Sequence, residues 1–196
     1  MAGTKRIGII GDGNVGSALA RGLKRAGHDV RAVGKDKTAV RETAVWADIV
    51  MLAVPFGALG QVVNEAGDAL AGKTVVAVPN ALNPDMSLAV GFTTSGAEEL
   101  QRKVPDAKVV KAFNTVFSQH MSTGRLGNQS LTALVAGDDS NAKASVLELA
   151  REIGFDAVDA GPLKNARLLE PLAQLNIQLG YMLKMGTQIG FKLLRI

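Results

Sequence analysis

Cysteine is absent from this 196-residue chain, and histidine occurs only as His28 and His120. The first absence excludes disulfides, thiolate nucleophiles and thiolate metal sites. The second leaves too few imidazoles for a histidine-rich metal centre, so no metal is expected. No uninterrupted apolar run reaches the ~18 residues of a membrane span. No block of like charge marks a nucleic-acid tail. Neither a membrane nor a nucleic acid is therefore an expected partner. Ser118 and His120 lie close together but lack a G-x-S-x-G context. No serine-hydrolase site follows, and no acid–base or other catalytic residue is assigned. The opening "MAGTKRIGIIG" enters a strand pattern almost at once and leaves no room for a secretory leader. A cytoplasmic location is the expectation.

What is present belongs to an ordinary globular protein. Apolar residues make up 47% and charged residues 20%, enough to bury a core in a single domain spanning residues 1–196. The net charge of +4 is scattered along the chain, which suits binding of phosphorylated small molecules.

Aliphatic runs alternate with helical patterns. Strands are predicted at Arg6–Ile10, Val30–Val33, Ile49–Val54, Thr74–Val78, Lys108–Ala112, Leu131–Ala136 and Ala157–Asp159. Helices are predicted at Asn14–Ala26, Ala58–Ala69, Ser95–Lys103 and Asn141–Ile153, with a short one near Ala39–Trp46. Continuous β-branched runs fit strands covered on both faces, hence a mostly parallel sheet in an α/β, Rossmann-like, doubly wound fold. Ser95 followed by Glu98 reads as a capping box. The connection from Val33 to Asp48 has room for one short helix, so the first half of the sheet is shortened. From Asn165 onward apolar residues fall on almost every side of a helix. Pro171 should break that helix or restart it. This apolar C-terminal helical segment, 163–196, needs cover, either from the core or from a second copy in a homodimer.

Gly11, Gly13 and Gly16 form G-x-G-x-x-G between a predicted strand and a predicted helix. The glycines allow a tight turn, close approach of a pyrophosphate, and close helix–strand packing; the helix N-terminus offers N–H groups to phosphate. Sites specific for NAD place an acid roughly 20 residues on, which would repel a 2′-phosphate. This chain instead has Val33-Gly34-Lys35-Asp36-Lys37. Gly34 makes room and Lys35 and Lys37 offer charge, so NADP(H) is the expected cofactor. Asp36, able to swing toward a ribose, and Asp12, inside the loop, pull the other way. "KAFNTVF" follows a buried strand: a flat ring stacked on Phe113 or Phe117, its carbonyl bonded by Asn114, is one reading, and core packing of the two rings is the other. Lys164 and Arg167 either receive an acidic substrate tail or remain solvated.

The stretches "GDGNVG", "ADIVMLAVPFGAL", "VVKAFNTVF" and "DAGPLKNARLLEPLA" resemble the coenzyme F420-dependent NADP oxidoreductase family, whose members are also similar to the cytosolic domain of STEAP metalloreductases. The resemblance implies that Asp12, Asn14 and Val15 face pyrophosphate and adenosine, and that Gly34 and Lys35 take the 2′-phosphate. It implies that Val54, Pro55 and Phe56 line the ribose and adenine side. Asn80 falls near the nicotinamide, and Phe113, Asn114, Thr115, Val116 and Phe117 face nicotinamide and a deazaflavin ring. The implied activity is hydride transfer between NADP(H) and a small-molecule redox co-substrate: coenzyme F420, a flavin or a similar flat acceptor. The cofactors carry such chemistry, in keeping with the lack of a catalytic triad. The alternatives are a same-fold reductase of an imine or carbonyl, which needs a proton donor, and a non-catalytic NADP(H)-binding sensor.

Overall fold

In the computed structural model, which describes residues 3–195, the elements in chain order are β1 (Arg6–Ile10), α1 (Asn14–Arg25), β2 (Asp29–Val33), α2 (Lys37–Trp46), β3 (Ile49–Leu52), α3 (Leu59–Ala66), β4 (Thr74–Ala77), α4 (Gly96–Lys103), β5 (Lys108–Lys111), α5 (Ser118–Met121), β6 (Arg125–Leu126), β7 (Gln129–Ser130), β8 (Thr132–Gly137), α6 (Ser140–Ile153), β9 (Asp156–Asp159) and α7 (Ala166–Ile177). Seven strands pair in the order β2-β1-β3-β4-β5-β8-β9, and β6 with β7 makes a separate two-stranded ribbon. The five strands from β2 to β5 run parallel; β8 is antiparallel to β5 and parallel to β9. This is the Rossmann-like, mostly parallel α/β sheet expected from the aliphatic runs. Its first half is short because β2 is the edge strand, and α2 carries the chain straight across to β3 on the other side of β1.

The strands read as continuous aliphatic runs because both faces are covered. Ile7, Ile9, Met51, Val76 and Val110 pack with Leu19 and Leu23 of α1 and Val146 and Leu149 of α6. The alternate residues Ile10, Val50, Leu52, Val75 and Val109 pack with α2, α3 and α4 through Val40, Val62 and Leu100. Each fully buried aliphatic side chain contributes about 1.5–3 kcal/mol by leaving water.

Local chemistry sets the helix starts. Asp36 caps α2 by accepting from the Ala39 N–H at 2.7 Å, and Asp139 caps α6 by accepting from Ala142 at 2.8 Å. Ser95 caps α4: its hydroxyl accepts from the Glu98 N–H at 3.2 Å and donates to the Glu98 carboxylate at 2.8 Å. The reciprocal arm of the predicted capping box thus reaches the hydroxyl instead of the Ser95 N–H.

Two expectations need correction. Pro171 neither breaks nor starts a helix; it lies inside α7. Its missing N–H removes one intrahelical donor, the one aimed at the Arg167 carbonyl, while Leu169, Glu170 and Ala173 on the buried face hold the helix down. The C-terminal segment is helical only to Met182, where a π-helical turn (Gln178–Met182) ends it. Residues 183–195 then run without helix: Met185 and Gly186 donate back to the Leu179 and Gly180 carbonyls, and farther on the chain meets the start of β8, where the Thr132 N–H donates to the Phe191 carbonyl at 3.1 Å and the Leu193 N–H donates to the Thr132 hydroxyl at 2.8 Å. Ile196, with Met1 and Ala2, lies outside the described residues, so the predicted limits 1–196 and 163–196 reach past them. No helix among the described residues is long and apolar enough to cross a membrane, and those residues hold no group of three potential metal ligands.

Candidate active site

The chain reverses direction across the sheet between β1 and β3, and open α/β sheets bind ligands outside the strand C-termini at such a switch point. β1 delivers Gly11 there with φ +115°, and a Cβ on it would lie 2.4 Å from the Ala53 carbonyl oxygen. Only glycine fits between the two strand ends. Gly16 seats α1 on the same turn: its Cβ would lie 1.8 Å from the Gly11 oxygen. Gly13 is different. It is the N-cap of α1, with no side chain capping the helix and no acid in the first turn. A Cβ there meets nothing within 4 Å. The first N–H groups of α1 and their partial positive charge are therefore available to an anion.

From this loop a cleft of about 750 Å³ runs along the C-terminal edge of β3, β4 and β5 to α7. Two smaller depressions, of about 360 and 500 Å³, lie at the opposite edge of the sheet. Of the sequence-predicted residues, Gly13, Asn14, Val15, Val54, Pro55, Phe56, Asn80, Asn114, Val116 and Phe117 line the cleft together. Gly11 and Gly16 shape the loop beneath it. At the ends of β1 and β2, Asp12 leans on Gly34: a Cβ at Gly34 would lie 2.7 Å from the Asp12 carboxylate. Lys35 and Lys37 are exposed beside them. Asp36 caps α2 through one carboxylate oxygen, Oδ1.

The "KAFNTVF" segment divides between core and cleft. Phe113 does not reach the cleft; it is 1% exposed and packs on Phe155, with ring centres 5.8 Å apart. Its φ of +66°, uncommon for a bulky residue, turns the chain from β5 toward the cleft. Thr115 is also buried, and its carbonyl accepts from Asn176 Nδ2 at 3.2 Å. Stacking at this segment is thus open to Phe117 and not to Phe113. Phe117 meets Tyr181 edge-on at 5.6 Å, and Gly180 leaves space for the Phe117 ring, which a Cβ would approach to 2.7 Å. Tyr181 went unpredicted as a cleft residue, since the apolar C-terminal pattern hid its orientation. Among the described residues that line the cleft it is the one ionisable side chain, and none of them is a carboxylate, amine or imidazole.

Beneath the cleft lies a buried ion pair. Lys111 and Glu170 are both fully buried, and Nζ lies 3.1 Å from Oε1. Lys111 also donates to the Pro79 carbonyl. Glu170 accepts from the Gly96 and Ala97 N–H groups at 2.9 and 3.2 Å, at the start of α4. Burial holds the Lys111 ammonium below the ordinary lysine range, and the Glu170 charge only partly offsets it. The pair ties β5, α4 and α7 to the Pro79–Asn80 turn. On that turn Asn80 Oδ1 accepts from Asn114 Nδ2 at 2.9 Å, and Asn80 Nδ2 donates to the Asn114 carbonyl at 3.3 Å. The sequence held a signal for this pair: a lysine at the end of an aliphatic strand and a glutamate at a buried helical position. Arg167 is taken up structurally too. It forks onto Glu98 at 2.9 and 2.7 Å, which holds the Glu98 carboxyl below the usual range. It is therefore not available to a substrate tail, while Lys164 stays exposed.

Residues 6–45, which hold β1, the glycine loop, the β2 end and most of α2, match the family described as NADP oxidoreductase, coenzyme F420-dependent. A solved structure from Arthrobacter sp. FB24, described as a candidate F420-dependent NADP reductase, superposes with a TM-score of 0.89 at 28% identity, covering 98% of this chain and 100% of that one. The chain is thus similar to the F420-dependent NADP oxidoreductase family in its nucleotide-loop half-unit and to a candidate member over its whole length. Metalloreductase STEAP3 of Rattus norvegicus is 31% identical over 180 residues, which cover 85% of this chain. The chain spans only about a third of that relative's length, 36%. Pyrroline carboxylate reductase of Plasmodium falciparum, solved with NADP bound, matches at a TM-score of 0.59 and 20% identity over 80% of this chain and 59% of that one, a likeness of fold. The open space at Gly13 and the uncapped N-terminus of α1 fit the pyrophosphate of a dinucleotide.

Proposed function

We propose that this protein is an NADP(H)-dependent oxidoreductase that transfers hydride between NADP(H) and a second flat heterocycle, a deazaflavin such as coenzyme F420 or a flavin, held in the same cleft. The carrying observation is the cleft's continuity. It leads from the uncapped N-terminus of α1 to an apolar chamber at Phe117 and Tyr181 without passing a carboxylate, amine or imidazole among the described residues. A hydride moving between two rings needs close approach, stacking and dryness, which such a lining supplies; the rings supply the redox chemistry. In this reading Gly13, Asn14 and Val15 hold the pyrophosphate, Lys35 and Lys37 the 2′-phosphate, and Val54, Pro55 and Phe56 the adenosine side. Asn80, Asn114, Val116 and Phe117 place the nicotinamide and its partner ring.

A homodimer forms part of the proposal. Leu168, Leu175 and Met182 recur every seven residues along α7 and its continuation, and they are 66%, 47% and 58% exposed. A second copy would cover that stripe next to Tyr181, at the mouth of the cleft.

The test is an acceptor assay. NADPH and NADH are offered with oxidised deazaflavin, FMN, ferric chelate, or an imine or carbonyl compound, and nicotinamide oxidation is followed. Rapid NADPH-dependent reduction of a ring acceptor is expected. Turnover confined to an imine or carbonyl would make the Tyr181 hydroxyl the proton donor and refute the two-ring reading. Tight NADPH binding without turnover would refute the two-ring reading and point to another substrate or to a sensor.

A further inference from the structure

Ala173, Ile177 and Tyr181 recur every four residues along α7 and its continuation, and all three line the cleft. Residues four apart share a helix face, so this row carries the cleft wall outward from the core. Ala173, at its inner end, is buried, and Tyr181, at its outer end, is 56% exposed. The outer end lies in the π-helical turn Gln178–Met182, where the Leu183 N–H donates to the Gln178 carbonyl at 2.9 Å. Such turns are rare and are frequent at functional sites. The Met185 and Gly186 N–H groups donate back to the Leu179 and Gly180 carbonyls and fix the turn. Tyr181 is therefore held in place without being covered. The other aromatic residues lining the cleft offer less. Phe117 is 8% exposed, with Gly180 against its ring and Tyr181 edge-on to it. Phe56 is half-buried against α4, where a Cβ on Gly96 would lie 3.1 Å from its ring. An edge-on contact covers at most one face of a ring, so Tyr181 keeps a face open to the cleft.

We infer that Tyr181 is the platform on which the second, electron-poor heterocycle stacks, and that it sets the affinity for that ring, with Phe117 as its support. The inference rests on the two-ring reading above. An offset stack buries the faces of both rings, and an electron-rich phenol is a suitable partner for the electron-poor ring of an oxidised flavin or deazaflavin. Tyr181 stands at the chamber end of the cleft and Gly13 at the pyrophosphate end. The platform therefore acts on the acceptor and leaves the anchoring of NADP(H) to the glycine loop.

The test is a binding measurement on the full chain loaded with NADP+. Oxidised FMN and oxidised coenzyme F420 are titrated into wild type, Tyr181→Phe and Tyr181→Leu, with NADP+ affinity measured in parallel. Tyr181 is the only tyrosine, and the one tryptophan, Trp46, does not line the cleft. Quenching of the bound ring's fluorescence by electron transfer from a side chain therefore reports on Tyr181. Wild type should quench at least one of the two rings. Tyr181→Phe keeps the stack, so affinity should stay within about twofold while the quenching is relieved. Tyr181→Leu should weaken the ring about tenfold, as loss of one stacking partner predicts, and leave NADP+ affinity unchanged. Tyr181→Phe removes only an exposed hydroxyl, so its comparison with wild type stands even if the leucine variant folds poorly. A ring that binds with equal emission in wild type and Tyr181→Phe, or with equal affinity in all three proteins, overturns the inference and leaves the two-ring reading intact. A matching loss of NADP+ affinity in Tyr181→Leu overturns it as well. If neither ring binds wild type, the two-ring reading and the inference fall together.

Discussion

Replacing Lys111 by methionine removes the cation from a pocket in which nothing is exposed. The Glu170 carboxylate keeps its two N–H bonds from Gly96 and Ala97, and the Pro79 carbonyl loses its ammonium donor. Removing one member of a buried pair costs about 3–5 kcal/mol. The N–H bonds and the positive end of α4 that still support Glu170 place the expected loss near the lower bound. At about 2–4 °C per kcal/mol for a chain of this size, Tm should fall by roughly 6–12 °C. Glu170→Gln keeps an acceptor for Lys111 but strands part of its charge, and the double variant should be less destabilised than the sum of the singles by about 1 kcal/mol or more. Denaturant titration of the four proteins gives the coupling directly. Because the Pro79–Asn80 turn loses its anchor, NADPH affinity of the folded Lys111→Met protein should also fall several-fold. A loss below about 1 kcal/mol with unchanged NADPH affinity would refute the view that this pair holds the cleft floor.

The glycines of the loop should separate folding from binding. Gly13→Val has open space and an ordinary φ of −69°, so Tm should stay within ~2 °C while nucleotide binding, read by fluorescence, disappears. Gly16→Ala forces a Cβ to within 1.8 Å of the Gly11 oxygen and should cost about 3 kcal/mol or more in denaturant unfolding. Lys35→Asp should weaken NADPH about tenfold more than NADH; equal weakening would remove it from 2′-phosphate recognition. The Glu98 carboxyl is held below its ordinary value by Arg167. Its contribution to stability is therefore complete above about pH 4.3, the unfolded glutamate value, and is lost as pH falls through the lower folded value. Glu98→Gln should flatten that part of the acid-unfolding curve, and a curve parallel to wild type would contradict it.

Sequence alone determined the elements whose causes are local. Strand–turn–helix at Ile10–Asn14, the caps at Asp36, Ser95 and Asp139, and the aliphatic runs of the central strands all depend on residues within a few positions of one another. From those runs came the parallel sheet, and from the brevity of Val33–Asp48 its shortened first half. Tertiary structure decided what depends on neighbours far along the chain. Phe113 and Phe117 are four residues apart and equally aromatic; one fills the core beside Phe155, and the other reaches the cleft because of the turn at Phe113. Asp36 and Arg167 carry charges suited to ligands, but Ala39 takes one carboxylate oxygen of the first and Glu98 takes up the second. The apolar pattern beyond Met182 reads as helix, whereas the chain leaves the helix there and meets the start of β8 at Thr132. Asn114 illustrates the division best. The sequence placed an amide at the site, and only the contacts with Asn80, 34 residues away, and Leu169, 55 residues away, left its oxygen without a partner among the described residues. Hydrogen-bond polarity at a buried amide is set by which partners the fold brings to it, and no local pattern carries that information.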